Sequence, residues 1–338
     1  MVAEHCGNRG EPRGDKETGY QVSGSPKVVA FGGGHGLYAS LSALRRVTDR
    51  LTAVVTVADD GGSSGRLRRE LGVLPPGDLR MALAALCGDD EWGQTWSRVV
   101  QHRFRSQGDL HDHAVGNLLI VALWELLDDP VGGLDWVARL LGAQGRVLPM
   151  STVPLDIVAE VEGADPAAPY ELSQVRGQVA CAMTPGKVRS VSLVPPDPPA
   201  CPQALAAIQD ADWVVFGPGS WFTSVLPHLK VPELAQALVS TRARRVLALN
   251  LAPQQGETDD FSPQNHLEVL QAHAPGLRID VVLADASLVE DAGALDKAVQ
   301  ALGGTLLLAE VAAADGSPRH DPARLAQALG QIFAAPQA

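Results

Sequence analysis

The 338-residue chain is 46% hydrophobic, which is enough to bury one large core or a core with a subdomain. Its 27 Lys and Arg residues are outnumbered by 39 Asp and Glu residues, and the formal net charge is -12. A surface of that sign repels polyanions, which argues against bulk binding to nucleic acid or to an anionic membrane. A phosphate site must therefore be local, built from backbone N–H groups and a few placed arginines.

The N-terminal segment and the cysteines both indicate a cytoplasmic protein. Residues 1–25 are polar, glycine-rich and aperiodic, so they are predicted to form a disordered tail before an α/β domain over 26–338. The tail lacks the apolar core of a signal peptide, and no run of about 18 apolar residues predicts a transmembrane segment. The four cysteines form no C-x-x-C pair, which favours free thiols over disulfides or a zinc site. They are Cys6, Cys87, Cys181 and Cys201.

Short apolar runs alternate with glycine-rich turns and helical patterns along the first half of the chain. KVVAF (27–31) predicts a strand, LYASLSALRRV (37–47) a helix, and TAVVTVA (52–58) a second buried strand. Residues 78–141 have wide apolar faces at helical spacing, which predicts a helical insertion or layer. Residues 147–194 contain DIVAEVEG, GQVACAM and KVRSVSLVP, which predict a small antiparallel β-rich subdomain.

Strand and helix patterns alternate again in the second half. Uninterrupted apolar strands of this kind are typical of a mostly parallel, doubly wound sheet that helices cover on both faces. A final strand, a turn and a closing helix complete the chain. The segments are ADWVVF, VPELAQALVS, RRVLALN, HLEVLQAHA, RIDVVLAD, TLLLAEV and DPARLAQALGQIF.

The first glycine-rich loop follows the first predicted strand directly. Backbone N–H groups and a helix dipole converge on an anion at such a turn, and glycine allows a phosphate to approach closely. It is no Rossmann G-x-G-x-x-G, because Leu37 occupies the last position, and it lacks the Lys of a Walker A loop. A tight turn that needs positive φ is the alternative, and His35 is as consistent with an exposed turn as with a phosphate contact. The loop is Gly32, Gly33, Gly34, His35 and Gly36.

The second loop follows the second strand and begins with two carboxylates. An acid here could accept hydrogen bonds from ribose hydroxyls, and two adjacent acids could hold Mg²⁺ through phosphates. The alternative is an Asp-Gly turn followed by a serine N-cap. The candidate residues are Asp59, Asp60, Gly61, Gly62, Ser63, Ser64 and Arg66.

Two polar motifs lie in the helical part. In PPGDLR, Asp78 and Arg80 are interpreted either as a helix cap with a solvated charge or as ligand contacts. In HDHAVGN, the H-x-H pair has no evident third metal ligand, so His113 and Asn117 are preferred as polar groups lining a cleft. A histidine satisfied at the helix entry is the alternative.

A third glycine-rich turn, FGPGSWFTS, again follows a strand. Three such turns in one chain favour a shared ligand crevice at the topological switch of a doubly wound sheet. Asn250 ends a later strand, Phe261 in GETDDF could stack on a base, and Arg319 could bind a diphosphate. Core packing for Phe261 and solvation for Arg319 are the alternatives. The candidates in the third turn are Gly217, Pro218, Gly219, Ser220, Thr223 and Ser224.

Taken together and in order, these strings resemble the YvcK family of bacterial proteins, also called gluconeogenesis factors, which is related to the 2-phospho-L-lactate transferase CofD. The resemblance extends from Lys27 to Arg319. Three positions depart from the common pattern: His35 for Thr, Asp112-His113-Ala114 for Gly-His-Ser, and Phe261 for Tyr. The matching strings are GGGHGL, VTVADDGGSSGRLR, PPGDLR, HAVGN, GRVLP, FGPGSWFTSVLP and GETDDF.

The resemblance implies a Rossmann-like three-layer α/β/α fold and a ligand that is UDP-N-acetylglucosamine or UDP-glucose. It implies a regulator that steers carbon into cell-wall precursors and maintains cell shape during gluconeogenic growth. Expected partners are cell-wall synthesis or uridylyltransferase-type regulatory proteins, and a homo-oligomer is expected. The implied ligand contacts are the candidate residues above, with Asp59 and Asp60 as a Mg²⁺ site.

Two enzyme hypotheses stand beside the regulator. A CofD-like transferase would move a phosphate-bearing group from a nucleotide diphosphate donor to a hydroxyl, with Mg²⁺ on the paired carboxylates. An NAD-dependent dehydrogenase would use the first glycine loop and the acid that follows, but the fingerprint spacing is wrong for it.

Overall fold

The computed structural model describes residues 24–254, 257–259 and 261–335. All but the last two residues of the predicted N-terminal tail, and Gly256 and Asp260 of GETDDF, lie outside these ranges. The strands in the described residues are β1 (Lys27–Gly32), β2 (Arg50–Val55), β3 (Arg146–Pro149), β4 (Asp156–Glu162), β5 (Leu172–Arg176), β6 (Lys187–Val194), β7 (Trp213–Phe216), β8 (Arg244–Ala248), β9 (Val281–Asp285) and β10 (Thr305–Ala309).

Helices connect most of these strands. The α-helices are α1 (Gly34–Leu44), α2 (Gly62–Leu71), α3 (Gly77–Ala85), α4 (Glu91–Gln101), α5 (Val115–Leu127), α6 (Pro130–Leu141), α7 (Gln178–Met183), α8 (Pro202–Asp210), α9 (Pro232–Ser240), α10 (Pro263–His273), α11 (Ala292–Ala301) and α12 (Pro322–Ala334). Across the part of the chain that the structure describes, none of them is long and apolar enough to cross a bilayer.

The central sheet has seven strands in the order β10-β9-β8-β7-β1-β2-β3. Every neighbouring pair runs parallel, so each connection must cross over the sheet, and helices cover both faces. From β1 the chain moves outward to β2 and β3, then returns to the other side of β1 and continues from β7 to β10. The predicted doubly wound, Rossmann-like architecture is confirmed, and its topological switch lies between β1 and β7.

The predicted helical layer is also confirmed, since α3 to α6 occupy residues 77–141 between β2 and β3. The predicted small antiparallel sheet exists in the order β5-β4-β6. The predicted beginning of this sheet at residue 147 is wrong, because β3 pairs with β2 in the central sheet and the small sheet begins only at β4.

GQVACAM, predicted as β-rich, is the helix α7. Gly177 ends the strand before it, because its φ of 105° is a conformation that other residues rarely adopt. The backbone N–H of Val179 then donates to Asp60 Oδ1 at 3.0 Å, which fixes the first helical turn. The strand of this segment is β5, immediately before Gly177.

The segment after the third glycine-rich turn forms a π-helical turn (Trp221–Val225) followed by a 3-10 turn (Leu226–Lys230). Pro227 has no backbone N–H, so it cannot continue an α-helical ladder here. Ser220 Oγ accepts the N–H of Thr223 and so begins the first turn. The irregular turns bury His228 against the sheet.

His228 is completely buried beneath the central sheet. Its Nε2 donates to the carbonyl oxygen of Val54 at 3.1 Å, and Phe31 meets the ring edge-on at 5.3 Å between centroids. Burial lowers the pKa of His228 to about 4, so the ring is neutral in the folded protein at neutral pH. Burial also lowers the pKa of His320 to about 4.

We expect the protein to lose stability as the pH falls from 6.5 toward 4. Below pH 6.5, His228 is protonated in the unfolded chain but stays neutral in the folded protein until the pH approaches 4. The free energy of unfolding is therefore highest above pH 6.5 and decreases below it. The loss for His228 between pH 6.5 and about 5 should be about 2 kcal/mol. Urea unfolding of the wild type and of His228→Gln, which retains a donor for Val54, measures it. Equal pH slopes for the two proteins would contradict the assignment.

Candidate functional site

The predicted motifs follow the carboxyl ends of four adjacent strands. In the sheet these strands are ordered β8-β7-β1-β2, and the motif after each begins within a few residues of the strand end. Because the strands are parallel, all four ends lie at one edge of the sheet. The loops after β1 and β7 flank the switch point, where open α/β sheets commonly bind ligands.

The loops after β1 and β7 pack directly against each other. A Cβ atom on Gly36 would overlap the carbonyl oxygen of Pro218 and lie 2.5 Å from Cα of Gly219. Ser40, one turn further along α1, donates its hydroxyl to the carbonyl oxygen of Gly217 at 2.6 Å. Glycine at position 36 is therefore required by the approach of two backbones, and the two loops form one unit.

A cavity of about 600 Å³ opens beside this contact. The N-terminus of α1 borders it, and α1 has neither a side-chain cap nor an acidic residue in its first turn. Its wall combines the two loops with the segment after β8 and the turn before α12. The residues most relevant to a ligand are His35, Gly36, Tyr38, Gly219, Asn250 and Arg319.

Asn250 joins the β7 loop to the end of β8. Its Oδ1 accepts the N–H of Gly219 at 2.8 Å, and its Nδ2 donates to the carbonyl oxygen of the same residue at 2.9 Å. An amide that makes both bonds fixes the peptide orientation of a residue whose φ is +148°. Asn250 thus shapes the cavity wall.

Glu257 holds the beginning of the π-helical turn. Its carboxylate accepts the Ser220 hydroxyl at 2.6 and 2.7 Å and the Thr223 hydroxyl at 3.1 Å. Burial raises the pKa of Glu257, although these bonds oppose the shift. Ser224 is buried beside them. Ser220 and Thr223 therefore already have an internal partner.

Asp78 lies where the first loop meets α3. It does not cap α3, since the N-cap residue is Pro76 and the helix has no side-chain cap. Instead, Asp78 Oδ2 accepts the hydroxyl of Thr56 at 3.0 Å, and a Cβ on Gly33 would lie 2.5 Å from the same oxygen. Burial and the charge of Asp59 raise the pKa of Asp78 to about 6.

The two carboxylates of the second loop have different environments. Asp59 Oδ1 accepts the N–H of Gly61 at 2.9 Å, and its other oxygen lies beside Gly77. Asp60 Oδ1 accepts the N–H of Val179 from the small-sheet region. Over the described ranges, no group of three or more His, Cys, Asp or Glu side chains is arranged to hold a metal ion.

A buried network joins the second loop to the start of α5. Ser63 Oγ lies 3.0 Å from His113 Nδ1 and accepts Asn117 Nδ2 at 3.0 Å. Burial lowers the pKa of His113, so its ring is neutral at neutral pH. Arg66 donates to backbone carbonyls of the 109–111 loop. Arg80 is 5% exposed and belongs to the same region.

The structure thus gathers the predicted residues into neighbouring groups at one edge of the sheet. His35, Gly36, Asn250 and Arg319 share the cavity, whereas His113 and Asn117 are buried behind the second loop. Phe261 contacts Phe222 and His266 and lines an adjoining cavity of about 490 Å³, which shares the segment 250–253 with the first. Sequence analysis missed Thr56, although a hydroxyl directly after a buried strand, at its carboxyl end, was a usable signal.

The similarity of the chain to known proteins identifies its family. The profile of the family described as 2-phospho-L-lactate transferase CofD matches residues 28–310, most of the chain. The chain belongs to the CofD family. Within it, the similarity is to gluconeogenesis factors, as the motifs indicated.

Relatives from several bacteria support this placement. A Mycobacterium tuberculosis protein, whose name contains the words "gluconeogenesis factor", is 55% identical over 311 residues, covering 91% of this chain and 90% of the relative. The gluconeogenesis factor of Listeria monocytogenes is 36% identical over 90% of this chain and 94% of its own. A crystal structure of a UPF0052 family member from Bacillus halodurans superposes with a TM-score of 0.80 at 32% identity, covering 91% of this chain and 99% of that chain.

We expect Gly36→Ala to destabilise the protein by about 2 kcal/mol or more, because the new methyl group would force the β1 and β7 loops apart. Gly108→Ala is the matched control, since a Cβ there meets nothing within 4 Å and should change stability by less than about 0.5 kcal/mol. Urea unfolding compares the two. A Gly36→Ala protein as stable as the control would refute the close packing of the loops.

Proposed function

We propose that this protein is a regulator that binds a nucleotide sugar, UDP-N-acetylglucosamine or UDP-glucose, in the cavity beside the contact of the β1 and β7 loops. The observation that carries the proposal is the meeting of two glycine-rich strand ends at the switch point beside a cavity of about 600 Å³. Membership in the family of gluconeogenesis factors supports a role in carbon metabolism.

The diphosphate would lie at the N-terminus of α1, where uncapped backbone N–H groups and the helix dipole favour an anion. Arg319 would contribute a cation from the opposite wall. Its guanidinium is bonded to Asp315 and Ser317, which holds it in place while the side chain remains 74% exposed. Tyr38 and the segment around Asn250 would contact the sugar or the base.

The biological part of the proposal follows the family. The protein would act in the cytoplasm on the supply of cell-wall precursors and on cell shape during gluconeogenic growth. Its partners would be cell-wall synthesis or uridylyltransferase-type regulatory proteins, and it would work as a homo-oligomer. Ligand occupancy of the cavity would be the signal that such partners detect.

Titration calorimetry with UDP-N-acetylglucosamine should show saturable binding that weakens at least about tenfold in Arg319→Ala, because a charge-assisted bond to phosphate is lost. Arg50→Ala, on the opposite edge of the sheet, is the control and should bind like the wild type. Absence of saturable binding by the wild type at roughly 1 mM ligand would refute the proposal.

A transferase is the second candidate, and Asp78 is the observation that favours it. A carboxyl group whose pKa is about 6, next to the first glycine loop, can accept a proton near neutral pH. In such a reaction an acceptor hydroxyl would form a new P–O bond, the bond to the leaving nucleotide would break, and Asp78 would take the hydroxyl proton.

Mg²⁺ at Asp59 and Asp60 fits this arrangement poorly. Asp60 Oδ1 accepts the N–H of Val179 and Asp59 Oδ1 accepts the N–H of Gly61, so each carboxylate keeps only its other oxygen for an ion. Among the described residues no third side-chain ligand joins them. The transferase candidate is therefore argued through Asp78 alone.

If the protein is a transferase, nucleotide release from a diphosphate donor should rise with pH through about 6, because the deprotonated carboxylate is the base. Asp78→Asn should abolish release, while Asp49→Asn at the opposite edge should not. Chromatography of nucleotides and ³¹P NMR measure both products. No release by the wild type at any pH would remove this candidate.

A further inference from the structure

Arg80 carries a buried guanidinium for which the described residues provide no hydrogen-bond acceptor. It is 5% exposed, and its Nε and Nη1 atoms are buried and lack a partner among the described residues. A desolvated guanidinium normally gains paired oxygens, because leaving charged donors unsatisfied costs several kcal/mol. The buried guanidinium of Arg80 therefore carries a desolvation cost that a bound anion would offset.

Arg245 shows how the same fold satisfies an equally buried arginine. It is 8% exposed, and it donates to the carbonyl oxygens of Leu238, Val239 and Thr241 and pairs with Asp280. Arg80 has no such set of acceptors. The contrast indicates that position 80 is arranged for a ligand and not for the fold alone.

The nearby carboxylates do not act as hydrogen-bond acceptors for Arg80. Asp59 and Asp78 are near enough to attract Arg80 electrostatically, but Asp78 accepts from Thr56 and Asp59 accepts from Gly61. Arg103 adds a second positive charge close to Arg80. Neither carboxylate is hydrogen-bonded to the guanidinium, so its Nε and Nη1 atoms lack an acceptor among the described residues.

Two helix N-termini frame the region. Neither α2 nor α5 has a side-chain cap or an acidic residue in its first turn, and Ser63 joins them by accepting Asn117 Nδ2 and the N–H of Ala114. Gly116 in α5 lies against Arg80, since a Cβ there would be 2.7 Å from Arg80 Cγ. Uncapped helix N-termini attract anions, and the unpaired guanidinium of Arg80 is a second, independent indication of an anion at this position.

Asn117 contributes a complementary acceptor. It is 1% exposed, and its Oδ1 is buried without a partner in the described chain, while its Nδ2 is held by Ser63. Asn117 follows Gly116, which lies against Arg80, so an unpaired acceptor and unpaired cationic donors belong to the same region. Such a combination suits an anion that also carries a hydroxyl group.

We propose that Arg80, the N-termini of α2 and α5, and Asn117 form an anion site, separate from the cavity at Arg319, that binds the phosphate group of a small hydroxylated metabolite. The site is independent of the nucleotide-sugar proposal. It would let the protein sense or use a second phosphorylated compound beside the first.

Inorganic phosphate is the probe, measured by thermal unfolding and by titration calorimetry. The wild type should bind it saturably, and Arg80→Met should weaken binding roughly tenfold to hundredfold through loss of the charged donors. Arg80→Met should also unfold at a higher temperature than the wild type without phosphate, because an unpaired buried charge is removed. Arg245→Met is the control and should unfold at a lower temperature while keeping the phosphate response.

A second variant, Asn117→Asp, guards against misfolding of the first, since its added negative charge should repel phosphate without removing Arg80. Arg319→Ala should retain phosphate binding, and saturating UDP-N-acetylglucosamine should leave it intact. Because phosphate could also bind beside Arg319, the decisive titrations combine Arg80→Met or Asn117→Asp with Arg319→Ala. Phosphate binding that survives in both double variants, that disappears in Arg319→Ala alone, or that is absent from the wild type would overturn the proposal.

Discussion

The candidate site depends on one steric constraint, the contact between the backbones of the β1 and β7 loops. A side chain at Gly36 would overlap Pro218, so the two loops approach only because glycine stands there. This contact lies at the switch between the two halves of the sheet, where two strands lead outward in opposite directions. It joins the two loops into one wall of the cavity.

Polar side chains around this contact fall into two classes. One class makes hydrogen bonds to the β7 loop and so gives the site its shape; its members are Ser40, Asn250 and Glu257. Arg80 and Asn117 are buried and keep atoms without partners among the described residues. Since burying polar atoms unpaired is costly, a fold that satisfies Arg245 fully yet leaves Arg80 unsatisfied indicates a ligand at Arg80.

The second loop also connects the site with the small antiparallel sheet. Asp60 receives the N–H of Val179 at the beginning of α7, and Val179 packs on Gly61. A carboxylate that looked free for a metal ion in the sequence therefore anchors a distant segment.

The sequence alone determined the parallel sheet, the helical layer and the glycine-rich strand ends, because apolar runs and turn residues act locally and leave a periodic signal. The order of the motifs also predicted the family, and the match of residues 28–310 to the CofD family confirms it. Only the tertiary structure decided that GQVACAM is helical, that Asp60 is engaged, and that Arg80 is unpaired. Those outcomes depend on partners more than 30 residues away or on the absence of partners, and no local pattern records either.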